Sequence, residues 1–279
     1  GDEVIIPAPY WVSYPDMVLL AGAKPVIVSG DLSQNFKITA EQLEANITEK
    51  TRLFVINSPS NPTGMAYSKA ELTALADVLL KHPNILIATD DMYEHILWTE
   101  APFINIVNAC PELIGRTVVL NGVSKAYSMT GWRIGYCGGP AKSIAAMKKI
   151  QSQSTSNPCS ISQAAAAAAL SGDQGCIATM LTEFKARHDM VVERLNKITG
   201  VSCLPSDGTF YCFPDVTPVI ERLDNIDDDV SLAEHLITTA GVALVPGTAF
   251  GAPGHVRLSI ATSEANLTEA LNRLTKALQ

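Results

Sequence analysis

The stretch Arg52-Leu53-Phe54-Val55-Ile56-Asn57 runs into Ser58-Pro59-Ser60-Asn61-Pro62-Thr63-Gly64, then through Ser68-Lys69-Ala70-Glu71 to Ile85-Leu86-Ile87-Ala88. Together these residues spell one repeating unit of the fold. After Arg52 the first run is apolar without alternation, the pattern of a strand buried on both faces. Two X-Pro steps and a glycine then make a stiff turn. Ser68 with Glu71 three places on is a capping box, and Leu72, Leu75, Ala76 and Leu79 follow on one helical face. Pro83-Asn84 stops that helix, and 85–88 reads as the next buried strand. A strand, a covering helix and a second strand buried on both faces imply a parallel pair.

The same texture extends both ways. Upstream, Val4-Ile5-Ile6 and Pro25-Val26-Ile27-Val28 read as strands, and Thr39-Ala40-Glu41-Gln42 caps a helix to about Ile47. Downstream, Thr117-Val118-Val119-Leu120 and Arg133-Ile134-Gly135-Tyr136-Cys137 are further strands. The expected class is α/β, with a mostly parallel central sheet flanked by helices. After Pro140 long helices take over, at 140–153, 162–170 and about 176–198, and the alanine run 164–169 suits close helix packing. Beyond Gly200, strands at 210–213, 242–245 and 256–260 mix with helices near 230–240 and 264–277. This predicts a large domain over 1–174 and a smaller C-terminal α+β domain over 175–279, which fits the roughly 150 residues expected per domain.

Composition narrows the function. Hydrophobic residues make up 47% of the 279, which excludes a disordered chain. Twenty Lys+Arg against 28 Asp+Glu give a net charge of −8, which argues against nucleic acid or an anionic membrane as partner. No apolar run approaches the roughly 18–20 residues of a membrane span. None of the six cysteines forms a C-x-x-C pair, so no metal site is expected, and buried free thiols of a cytoplasmic protein are.

In open α/β sheets ligands bind beyond the carboxyl ends of the strands, so the residues there carry the chemistry. Asn61 sits in the stiff loop after the 52–57 strand, where an ordinary turn accounts for the residues equally well. Asp90 and Asp91 follow the 85–89 strand; in extended chain they point oppositely, one to the site and one to a cap or solvent. After the 117–120 strand, Lys125 and Arg133 lie eight positions apart among Ser124, Ser128, Thr130 and Gly131. Such a set suits a phosphate, and a lysine at an apolar strand end suits attack on a carbonyl. Alone, Lys125 would read as a surface lysine.

Taken together the motifs are more specific. Ser58–Gly64, Asp90-Asp91-Met92-Tyr93, Ser124-Lys125 with Thr130-Gly131-Trp132-Arg133-Ile134-Gly135, and His255-Val256-Arg257-Leu258-Ser259 resemble, in order and spacing, the class I/II pyridoxal-phosphate aminotransferases. The likeness spans the whole chain, and Ala8–Pro15 is closest to the bacterial aspartate/prephenate/aromatic branch. It implies a cofactor, pyridoxal 5'-phosphate, and ping-pong transfer of an amino group between an amino acid, such as aspartate, and a 2-oxo acid. It implies that Lys125 forms the Schiff base and shuttles the substrate proton. Asp90 would sit against the pyridine nitrogen, and Asn61 and Tyr93 on the ring's 3-oxygen. Trp11 would stack on the ring, Ser124 and Arg133 would hold the phosphate, and Arg257 would pair with the substrate carboxylate, with Asn61 beside it.

The resemblance leaves Asp91, Trp132 and Tyr10 structural and His95 as packing. Glu183, Arg187 and His188 read as a solvated helix face. Residues 153–158 resemble the family segment that reaches the partner subunit, so a homodimer with active sites at the interface is expected. Family members carry a substantial stretch ahead of the Trp11 region, so the chain reads as lacking its front. Two other functions stand beside transamination: a C–S lyase or decarboxylase using the same cofactor, and an aminotransferase-like regulatory domain, for which no helix-turn-helix segment is seen.

Overall fold

A computed structural model describes all of residues 1–279. The front half alternates β1 (Glu3–Ala8), α1 (Ser13–Leu20), β2 (Lys24–Ser29), α2 (Ala40–Asn46), β3 (Thr51–Asn57), α3 (Lys69–Lys81), β4 (Leu86–Asp90), α4 (Ile106–Ala109), β5 (Thr117–Gly122), the one-turn α5 (Val123–Ala126) and β6 (Gly135–Gly138). Three helices follow, α6 (Ala141–Ser154), α7 (Ser160–Ser171) and α8 (Gly175–Leu195). The last third holds β7 (Tyr211–Cys212), α9 (Thr217–Arg222), α10 (Asp229–Thr239), β8 (Val245–Pro246), β9 (Val256–Ser259) and α11 (Glu264–Leu278).

Six strands form one sheet in the order β2-β1-β3-β4-β5-β6, and only β6 runs antiparallel to its neighbour. Strand period 2 sorts the apolar runs onto two faces. Ile5, Phe54, Ile56 and Ile87 pack with Leu43 of α2 and Leu72, Leu75 and Leu79 of α3. Val4, Ile6 and Val55 turn the other way, onto Tyr14 and Val18 of α1. Both faces are covered, which explains why β1 and β3 are apolar throughout. The chain reverses its direction of travel across the sheet between β1 and β3, creating a switch-point crevice at the strands' carboxyl ends.

The capping boxes at Thr39 and Ser68 form as read, with Gln42 and Glu71 closing them. Three readings need correction. The strand expected over 242–245 shrinks to Val245–Pro246, because the preceding residues pass along one wall of a shallow groove instead of pairing. Arg133 lies ahead of β6 rather than in it; its φ of 54° ends a short 3-10 turn. Only Cys110, Cys203 and Cys212 of the six free cysteines are buried, whereas Cys159 and Cys176 begin helices at the surface.

A second, three-stranded antiparallel sheet, β7-β9-β8, packs under α8, α10 and α11. Its core also takes in Tyr93 and Ile96 from the loop after β4. The junction includes main-chain and side-chain hydrogen bonds, among the latter Ala66 N–H to Asp207 Oδ2 (2.9 Å) and Trp98 Nε1 to the Ser206 carbonyl (2.7 Å). The carbonyl of Gly64 accepts from the N–H groups of Asp207 and Gly208 (3.1 and 3.0 Å), and Thr209 N–H donates to the Ile96 carbonyl (2.7 Å). No helix is long and apolar enough to cross a membrane.

Candidate active site

Beyond the carboxyl ends of β3, β4 and β5 lies a cavity of about 270 Å³, lined by Trp11, Asn57, Asn61, Asp90, Met92, Tyr93, Lys125, Tyr211 and Arg257. That size falls just below the usual small-molecule range of roughly 300–1,000 Å³. Six residues singled out from sequence therefore converge, from five separate stretches of chain.

Each is placed by local structure. Asp90 is the last residue of β4. Its Oδ2 accepts from the Tyr14 hydroxyl and its Oδ1 from the Met92 N–H at 3.2 Å. Burial pushes the Asp90 carboxyl above its ordinary value, against the lowering by these hydrogen bonds. No basic side chain pairs with it. The carboxylate is thus poised to receive a cationic N–H donor from a ligand. Tyr14, the second residue of α1, is itself buried, and Trp11 stands edge-on to it with ring centroids 5.3 Å apart.

Asn61 is set by its loop. Asn57 Nδ2 donates to the Asp90 carbonyl (2.8 Å), and Asn57 Oδ1 accepts from Asn61 N–H (2.8 Å). The Asn61 side-chain oxygen then accepts from Arg257 at 2.8 Å, across 196 residues of sequence. Arg257 lies on β9, its guanidinium 4.4 Å from the Tyr211 ring centroid and 4.8 Å from that of Phe250. No carboxylate answers it, and its Nε is buried without a partner. A guanidinium with no carboxylate partner and a buried, unpartnered Nε suits a bidentate anion supplied by a ligand.

Lys125 lies in the single turn of α5, with its Nζ 5.4 Å from the Phe210 ring centroid and 6.0 Å from that of Tyr93. Burial, then the charges of Arg257 and Arg133, pull its amine below the ordinary lysine value. That raises the unprotonated, nucleophilic fraction near neutrality.

Ser124 and Arg133 do not line the cavity. Ser124 precedes Lys125 on α5, and Arg133 is exposed, donating to the Thr130 carbonyl at 2.9 Å. Asp91, expected at a cap or in solvent, is 1% exposed. It accepts from the Thr89 hydroxyl (2.6 Å) and Asn105 Nδ2 (2.7 Å), and burial lifts its carboxyl to about 6. His188 is not on a solvated face: it is 2% exposed, its Nε2 accepts from Ser206 N–H at 2.9 Å, and its ring lies against Trp98. Glu183 and Arg187 do pair along the helix, at 3.1 Å. Asn57, Met92, Tyr211 and Tyr14 were not singled out from sequence. The signal for the first two was available, since Asn57 ends β3 and Met92 lies between Asp90 and Tyr93 after β4.

Residues 1–274 match the family described as aminotransferase class I and II. The chain belongs to that family. It is 58% identical to an aspartate/prephenate aminotransferase of Nitrosomonas europaea, the match covering all of this chain and 71% of that protein. The solved aspartate aminotransferase of Rhizobium meliloti superposes with a TM-score of 0.96 at 48% identity, covering 100% of this chain and 70% of that one. The aromatic aminotransferase of Pyrococcus horikoshii does so at 0.93 and 35% identity, covering 100% and 73%. The chain is a pyridoxal-phosphate-dependent enzyme that transfers an amino group between an amino acid and a 2-oxo acid. The lyase, decarboxylase and regulatory readings are not favoured by these relatives. This aminotransferase offers a set that fits the cofactor and substrate: a buried carboxylate with no cationic partner for a ring N–H, a lysine amine of lowered basicity for an aldehyde, and a guanidinium with no carboxylate partner for a substrate carboxylate.

Proposed function

We propose that the preferred amino donor is aspartate or a closely related amino acid, and that the cavity between β3, β4, β5 and β9 is where it reacts. What carries this reading is the convergence of Lys125, Asp90, Asn61, Tyr93 and Arg257 on one cavity. The names of the relatives, aspartate and aspartate/prephenate aminotransferases, support the donor.

Pyridoxal phosphate, when bound, supplies an aldehyde that takes up the substrate amine and a ring that withdraws electrons from the bonds at its α-carbon. Lys125 Nζ is the amine that holds the cofactor at rest and then moves the α-proton. Asp90 keeps a proton on the ring nitrogen. Asn61 and Tyr93 orient the ring oxygen, and the Trp11 ring flanks the ring face. Ser124, next to Lys125 on α5, and Arg133 would hold the phosphate, outside the lining of the cavity itself. Arg257 binds the α-carboxylate as a planar fork, steadied by Asn61. The large and small domains divide at 174/175, the enzyme works as a cytoplasmic homodimer, and the 153–158 segment, exposed in this chain, faces the partner.

The test is spectroscopic and kinetic. Protein loaded with pyridoxal phosphate should be yellow, and L-aspartate should convert the band, with its return dependent on a 2-oxo acid. Release of pyruvate and ammonia without a 2-oxo acid would instead mark a lyase. A protein that stays colourless with added cofactor would sink the reading.

A further inference from the structure

Tyr211 is one residue of β7, only 6% exposed, and it touches both working ends of the cavity. Its hydroxyl lies 3.2 Å from that of Tyr93, which follows β4. Its ring face carries the Arg257 guanidinium at 4.4 Å. An aromatic face attracts a cation, most strongly where water is excluded, and guanidinium stacks flat upon it. The stack matters here because Arg257 has no acidic partner and shares the cavity with Lys125, a second cation that its charge disfavours. Without a platform, the guanidinium would be held only by Asn61 on one edge and Phe250 behind.

We propose that Tyr211 is a positioning residue with two separable parts: its ring aligns Arg257 for the substrate carboxylate, and its hydroxyl polarises the Tyr93 hydroxyl that faces the cofactor. The proposal rests on Arg257 and Tyr93 having the roles given above. The chemistry is that of a short hydrogen-bond chain, in which a donor behind Tyr93 strengthens the bond in front of it. The ionisable groups facing Tyr93 are Tyr211, Asp90, Arg257, Tyr14 and, 6.0 Å from its ring, Lys125. None but Tyr211 makes a hydrogen bond to the Tyr93 hydroxyl.

The two parts predict different variants. In the cofactor-loaded enzyme, Tyr211→Phe keeps the ring and loses the hydroxyl. Its KM for the amino donor should stay within about twofold of the parent, while the pH midpoint of the visible absorbance band shifts. Tyr211→Leu removes both; KM should rise roughly three- to thirtyfold with a smaller change in kcat, the range of a desolvated cation–aromatic contact. A KM in Tyr211→Phe as high as in Arg257→Leu would overturn the role of the ring. An unmoved band midpoint in Tyr211→Phe would overturn the role of the hydroxyl, and this readout stands even if Tyr211→Leu fails to fold. If Arg257→Leu itself leaves KM unchanged, the substrate-carboxylate reading fails first, and separately.

Discussion

The cavity has two walls of different origin. One is built by the carboxyl ends of parallel strands, which bring Asn61, Asp90 and Lys125 together. The other belongs to the antiparallel sheet, which brings Tyr211 and Arg257. The first wall holds carboxylate and amine in environments that shift both away from their ordinary values, the carboxyl up and the amine down, chiefly by burial. The second wall carries a cation with no counter-charge and no resolved partner at Nε. On the roles proposed above, their difference would separate labour: the parallel wall would perform the chemistry, and the antiparallel wall would read the substrate.

Mutation of one residue on each wall tests that division. Lys125→Ala should abolish the visible band and lower turnover by on the order of 10,000-fold, the upper range for a positioned proton carrier, as read by single-turnover kinetics. Arg257→Leu should instead raise KM for amino donors by about 2–4 kcal/mol, with the band intact. Equal losses in kcat from both variants would erase the distinction between the walls.

Two further variants probe how the parallel wall is supported. Asp91 is buried beside Asp90, and its carboxyl sits near 6 instead of the ordinary 3.8. The folded state therefore holds a proton that the unfolded chain has released between about pH 4 and 6, so this group makes stability fall as pH rises through that window. At neutral pH the cost is on the order of 2–3 kcal/mol. Asp91→Asn should flatten that part of the pH–stability curve in urea unfolding; an unchanged slope would place the titration elsewhere. Tyr14→Phe removes a donor to the Asp90 carboxylate and should raise that carboxyl further. The expected loss is about 1–2 kcal/mol in cofactor affinity, measured by fluorescence titration, with KM for the donor little changed. A rise in KM alone would put Tyr14 on the wrong wall.

The two walls also differed in how legible they were. The apolar runs and capping boxes predicted the parallel sheet, and the residues after its strands followed from geometry that all such sheets share. Asn61, Asp90 and Lys125 are candidates because each follows a strand end, but only the family resemblance sets them above a turn, a cap and a surface lysine. Tyr211 is not among them, because its run Phe210-Tyr211-Cys212-Phe213 reads only as another buried strand, with no polar cue to set the tyrosine apart. Its role depends on two partners 118 and 46 residues away, and periodicity carries no information across such distances. His188 failed for a related reason. Its neighbours Lys185, Arg187 and Asp189 are charged and pair along α8, so the local pattern looks solvated. Only the packing of Trp98 and the 204–206 loop shows that its face is buried.

The junction at Gly64 and Gly208 bears on how such a chain can vary over time. A methyl on Gly64, at φ 71°, would come within 2.5 Å of the Gly208 carbonyl oxygen, and one on Gly208 within 2.3 Å of that of Ile96. Neither obstacle is a side chain that could turn aside. The seam joining the two walls is therefore intolerant of any side chain at these two points. The close approach of the two walls is thereby tied to two positions that carry no side chain at all.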